Sequence, residues 1–168
     1  MLTKNDFSAS DWNTLRDTQY LVGFATVMAG QSGLGTIKEL IALSQGIIQN
    51  QTSDVPLIRE LTATGEMQAA QASLKESFGE LQANPSSDNV RRLALDAARS
   101  SLAILGPKGT KEEIDAYRRL LYGIADKVAR AAREGGFLGF GGTLISEGER
   151  SFLNELRSTL QLEEVKTA

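Results

Sequence analysis

The sequence predicts an all-α fold: a single helical-bundle domain over residues 1–168, with six to seven helices joined by short loops. Three observations predict it. Thr36-Ile37-Lys38-Glu39, Thr110-Lys111-Glu112-Glu113 and Ser146-Glu147-Gly148-Glu149 each set a hydroxyl residue three positions before a glutamate. In that spacing each side chain satisfies a free backbone N–H of the other at a helix start. Ile114, Tyr117, Leu121, Ile124, Val128 and Ala131 recur at steps of three and four and trace one helical face. Finally, the chain has 3 prolines and no strong alternating run rich in Val, Ile and Thr, so strands have no sequence support.

The first helix is expected to begin near Ser10, an N-cap ahead of Asp11 and Trp12, and to run to Gly30. Trp12, Leu15, Val22, Ala25 and Ala29 fall at helical spacings. From Tyr20 onward apolar residues spread around most of the circumference, which predicts a helix central to the bundle. A second helix is expected over Ile37–Ile48, followed by the polar connection NQTSD. Pro56 suits the first turn of a third, where its missing N–H costs nothing. Leu57, Leu61, Leu74, Phe78 and Leu81 supply its apolar positions, and Gly65 either kinks one long helix or splits it into 55–64 and 66–83.

NPSSD ends that segment. Ser86 or Ser87 would cap the next helix, with Val90, Leu93, Ala97, Leu102 and Leu105 along its apolar side. GPKG stops it. The helix after Thr110 sets Glu112, Arg119, Asp126, Arg130 and Arg133 opposite its apolar face. The last helix carries Phe152, Leu153, Leu156 and Leu160. Residues 1–8 and 162–168 are expected as flexible ends.

Composition excludes more functions than it suggests. An apolar fraction of 41% and a charged fraction of 23% are those of a globular chain. The net charge of -3 favours neither nucleic acid nor an anionic membrane surface. With no cysteine, disulfides, thiolate nucleophiles and Cys-based zinc sites are excluded. With no histidine, so are Ser-His-Asp chemistry, His-ligated metals and the usual general base near neutral pH. The N-terminus has no apolar core for a signal peptide, and the run Tyr20–Gly30 is about half of a membrane span. A cytoplasmic protein without cofactor or metal, with no nucleic-acid partner and no membrane span, is the expectation.

The stretch GGFLGFGGT is the main candidate site: Gly135, Gly136, Phe137, Leu138, Gly139, Phe140, Gly141 and Gly142 ahead of Thr143. Glycine N–H groups before a helix bind anions. A phosphate loop, however, needs a Lys before the Ser or Thr, and a dinucleotide loop needs a preceding strand. The expected role is instead a core plug. Gly135 or Gly136 stops the helix, and Phe137, Leu138 and Phe140 fold back onto the bundle. The alternative is a docking patch for a protein partner or a second copy.

The acids Glu39, Glu60, Glu66, Glu76 and Glu80 could bind a hard cation through oxygen, but no calcium-loop pattern accompanies them, and a solvated surface explains them better. Arg118, Arg119, Lys127, Arg130 and Arg133 interleave with Asp115, Asp126 and Glu134 and read as helix-surface ion pairs. Alanines at 25, 29, 125, 129 and 132, and at 69, 70, 97 and 98, offer close-approach faces. YLVGFATVMAGQSGLGTIKE also echoes IADKVARAAREGGFLGFGGTLISEGE, as two related helical hairpins packed together would.

Ile124 to Ala129, Ala132 to Gly142, Ser146 to Glu149, and Ser32 to Glu39 together resemble a small bacterial all-helical protein family of uncharacterised function. The resemblance implies a bacterial cytoplasmic helical protein and brings no catalytic residues with it. A weaker likeness is to tellurite-resistance-type helical domains, which set an acidic Asp-Gly loop before a Ser/Thr-xx-Glu helix start. Here Gly142-Thr143-Leu144-Ile145-Ser146 takes that place without the Asp. The functional expectation is a non-enzymatic interaction or structural protein, with self-association or a protein partner. The alternative is a carboxylate-based metal binder or enzyme.

Overall fold

Seven α-helices and two 3₁₀ turns make up the ordered elements of the computed structural model, which describes residues 1–30, 36–83, 86–133 and 145–163. The helices are α1 (Ala9–Gly30), α2 (Thr36–Ile48), α3 (Pro56–Leu61), α4 (Thr64–Ala83), α5 (Ser87–Leu105), α6 (Lys111–Arg133) and α7 (Glu147–Thr159). There is no strand among the described residues. The all-α bundle expected from the sequence is the observed architecture.

The long helices alternate in direction. Thr18 lies against Ser101, and Met28 accepts a hydrogen bond from Ser87, so α1 and α5 are antiparallel. Ser73 donates to Asp17 and Arg16 reaches Glu66, so α4 rises beside α1. Gly46 sits on Ile124, and farther along Val55 and Pro56 adjoin Thr110 to Glu113; α2 therefore runs against α6. Arg118 near the start of α6 meets Gln161 just past the end of α7, which reverses that pair too. The helix ends that flank residues 31–35, 84–85 and 134–144 consequently share one end of the bundle.

α1 is the central helix. It packs against α2, α4, α5, α6 and α7. Its buried residues include Trp12, Leu15, Val22, Ala25 and Val27, together with Thr18, Gln19 and Thr26. A hydroxyl or amide inside a core must be hydrogen-bonded. Thr18 donates to the Thr14 carbonyl at 2.7 Å, Thr26 to the Val22 carbonyl at 2.9 Å, and Gln19 Nε2 to the Leu61 carbonyl at 3.0 Å. Tyr117, wholly buried on α6, closes the α1–α6 seam by donating to the Leu15 carbonyl at 2.9 Å. Burial pushes its hydroxyl well above the ordinary tyrosine value.

The α1–α5 contact corrects part of the expected face of α5: Val90 and Leu105 are buried as expected and Leu102 packs against the core, but Leu93 does not. Val90, Ala94, Leu95, Ala98, Ser101 and Leu105 are buried, whereas Leu93 is 37% exposed. Small side chains at 94, 98 and 101 let the two backbones approach, and Leu93 points out beside them. The start of α1 is also shifted. Ser8, not Ser10, caps it, accepting from the Asp11 N–H at 3.1 Å. The boxes at Thr110 and Ser146 form as expected: Thr110 N–H reaches Glu113 at 2.9 Å and Ser146 N–H reaches Glu149 at 2.8 Å. Ser86 caps α5. The long segment splits before Gly65, at Thr62–Ala63, and Gly65 falls in the first turn of α4.

The end expected to be flexible, residues 1–8, instead carries a 3₁₀ turn at Lys4–Asp6 with Thr3 and Asp6 as a capping box. At the other end, residues 164–168 lie outside the described residues.

Two glycines give opposite expectations. Gly148, in the first turn of α7, lies so close to α1 that a Cβ there would stand 2.3 Å from the Ala29 carbonyl oxygen. Gly148→Ala should therefore cost about 1–3 kcal/mol, because backbone must move to admit it. Gly123 on α6 is exposed and meets nothing within 4 Å. Gly123→Ala should stabilise by about 0.5–1 kcal/mol through helix propensity. Thermal unfolding of the two variants should shift in opposite directions.

Candidate functional site

The stretch singled out in the sequence, Gly135, Gly136, Phe137, Leu138, Gly139, Phe140, Gly141 and Gly142, lies outside the described residues. Its flanks are placed. α6 ends at Arg133, and Ile145 packs half-buried against the core ahead of Ser146.

The carboxylates do structural work where they are described. Glu39, expected on a solvated surface, is instead buried on α2, where helix packing covers it. Glu60 accepts the Lys4 N–H at 2.7 Å. Glu66 pairs with Lys4 and, at 3.4 Å, with Arg16. Burial pushes the Glu66 carboxyl up, but the Lys4 ammonium and the Arg16 guanidinium outweigh that and hold it below the ordinary glutamate value. Arg16 is 4% exposed and is also held by Asp17 at 2.7 Å, so its charge is neutralised inside the protein. Tyr20 beside this group has its hydroxyl pushed up to about 12, chiefly by burial. The side chains of Glu76 and Glu80 lie outside the description. Among the described residues, no group of three or more acids is placed to hold a metal ion.

The basic positions of α6 are spread along ion pairs. Arg118 bonds to Asp115 at 3.1 Å and Arg130 to Asp126 at 2.7 Å. Arg119 is exposed, and the Arg133 side chain is outside the description. Arg157 from α7 stacks over Tyr122, its guanidinium carbon 4.7 Å from the ring centroid. A groove of about 330 Å³ between α5 and α7 is lined by Leu95, Arg99, Asn154, Glu155, Ser158 and Thr159. It pairs no nucleophile with a base.

The feature the sequence reading missed is the outer face of α2. Leu40, Ile41 and Ile48 are 42%, 52% and 49% exposed. With Ser44 and Gln45 they occupy one side of the helix, while Ala42, Leu43, Gly46 and Ile47 face the bundle. A signal was present. TIKELIALSQGII carries more large apolar residues than one buried stripe needs, so some must face outward. Among the described residues no helix is long and apolar enough to cross a membrane.

No protein-family model, curated protein or solved structure matches the chain.

Proposed function

We propose that this chain is a non-enzymatic interaction or structural protein that pairs with a second copy of itself through the outer face of α2. The observation that carries the proposal is the uncharged row of Leu40, Ile41, Ser44, Gln45 and Ile48, three of them large apolar groups open to solvent. A face of that kind suits its own copy. In an antiparallel two-fold pairing Leu40 and Ile41 of one chain meet Ile48 of the other, and Ser44 sits near the axis. Lys38, the nearest charge at the start of the helix, falls opposite Gln49 and Asn50, so no like charges meet. The net charge of -3 adds little repulsion. Three side chains bury far less than the roughly 800 Å² per partner of a standard interface, so the dimer is weak and concentration-dependent. The likeness to a bacterial all-helical family belongs to this reading, and with it the expectation of a cytoplasmic role.

Sedimentation equilibrium tests it. The mass should rise from 18.1 kDa toward twice that value as concentration increases. Ile41→Lys should hold the chain at the monomer mass with unchanged ellipticity. A wild-type mass that stays monomeric at the highest soluble concentration would remove the proposal.

A further inference from the structure

Residues 2–7 cross the foot of the bundle, and polar groups from several elements hold them there. The Leu2 N–H donates to Glu113 on α6. The Lys4 N–H donates to Glu60 on α3 at 2.7 Å, and the Lys4 ammonium pairs with Glu66 on α4. Lys108, between α5 and α6, donates to the Asp6 carbonyl at 2.8 Å and stands 5.0 Å over the Phe7 ring. Beneath lies Trp12, 1% exposed, with the Phe7 ring 5.9 Å away and the Lys4 ammonium 5.7 Å over its face. Leu2 sits beside Ile114 at Gly109.

We propose that residues 2–7 form a strap released by protons: protonating the carboxylates that hold it lifts it from Trp12 and Ile114 while the helices stay packed. The reason lies in the difference between the two sets of contacts. The helices are joined mainly by buried apolar side chains, whose burial does not titrate. The strap is joined to three helices through carboxylate acceptors, which lose their charge in acid.

The groups facing the strap are the acids Glu60, Glu66, Glu113 and its own Asp6, and the cations Lys4, Lys108, the Met1 amino group and Arg16, the last shared with Asp17. Asp54, Lys111 and Glu112 line the adjoining groove with Met1. Burial raises Glu113, but N–H groups of Thr110 and Leu2 outweigh it and hold the carboxyl below its ordinary value. Glu66 is held low by Lys4 and Arg16 against burial, and Asp6 is held low by the Thr3 N–H. Carboxyls lowered in the closed form favour closure above the ordinary glutamate value of about 4.3. That contribution is lost as pH falls through the lowered values.

Trp12 is the only tryptophan, so its fluorescence reports on the strap. On the full chain, acidification from about pH 7 to about pH 3 should shift Trp12 emission to the red. Acrylamide quenching should rise roughly threefold over the same range as the local cover opens, while far-UV ellipticity is retained. Emission and ellipticity changing together would overturn the proposal, as would emission that stays fixed until ellipticity is lost. A second measurement uses Glu60→Gln with Glu113→Gln, which keeps neutral acceptors and the helix cap. At neutral pH, exchange of the Lys4 amide should accelerate about tenfold, as charged acceptors become neutral, with Val22 unchanged. No acceleration at Lys4, or an equal one at Val22, would also overturn it.

Discussion

Ile124→Asp is expected to leave little folded protein at room temperature. Ile124 is 1% exposed on α6, and its side chain fills the space against Gly46 of α2, where a Cβ would stand 3.3 Å from its Cγ1. The substitution removes a packed branched side chain and places a carboxylate between α2 and α6. Losing the apolar volume alone costs about 2–5 kcal/mol. A buried polar group without a partner costs about 2–7 kcal/mol more. Domains of this size hold about 5–15 kcal/mol in total. Urea unfolding followed by ellipticity would read the loss, with Ile124→Val, at about 0.5–1.5 kcal/mol, as the comparison. An Asp variant no worse than the Val variant would mean that α2 and α6 do not pack through this residue.

Phe152→Ala should be the second largest effect, about 3–5 kcal/mol for a fully buried Phe. Phe152 is wholly buried on α7, as are Leu156 and Leu160. The start of the helix should survive, because Ser146 and Glu149 cap it through hydrogen bonds local to the chain. Loss of stability with retained helix content at low denaturant is therefore the expected pattern. Leu93→Ala on α5 is the contrast: Leu93 is 37% exposed, so its truncation should stay within about 1 kcal/mol. Equal costs at the two positions would contradict the orientation of α5.

Where local chemistry decided the outcome, the sequence was legible. Hydroxyl–glutamate pairs start α6 and α7 because both partners are neighbours in the chain. The face of α6 was readable because its apolar residues repeat without interruption. The break after α3 was one of two readings the sequence offered, but its position at Thr62–Ala63 was not readable. It is fixed by side chains distant in sequence, since Gln19 takes the Leu61 carbonyl and Gln51 takes the Thr62 carbonyl. Those carbonyls would otherwise carry a continuous helix past Gly65. Leu93 was misplaced on the α5 face for a related reason. Counting large apolar residues favours Leu93, but contact with α1 selects the small residues Ala94, Ala98 and Ser101. The candidate site was the least legible. Residues 135–142, singled out by glycine with phenylalanine, lie outside the described residues, and the excess of apolar residues in TIKELIALSQGII signals an outward face whose members are fixed only once the neighbours of α2 are placed.

The central position of α1 has a consequence for how the protein is made. α1 leaves the ribosome well before α5, α6 and α7, three of the helices that surround it. At about 5–20 residues per second, on the order of ten seconds pass before α5 and α6 are both available. Until α5 is complete, the apolar run from Tyr20 to Gly30 has only α2 and α4 to shelter it. Contacts this distant in sequence also slow folding relative to helical bundles built from neighbouring hairpins. The nascent chain therefore passes through a period in which its central helix is incompletely enclosed, and that period ends only when α5, α6 and α7 arrive.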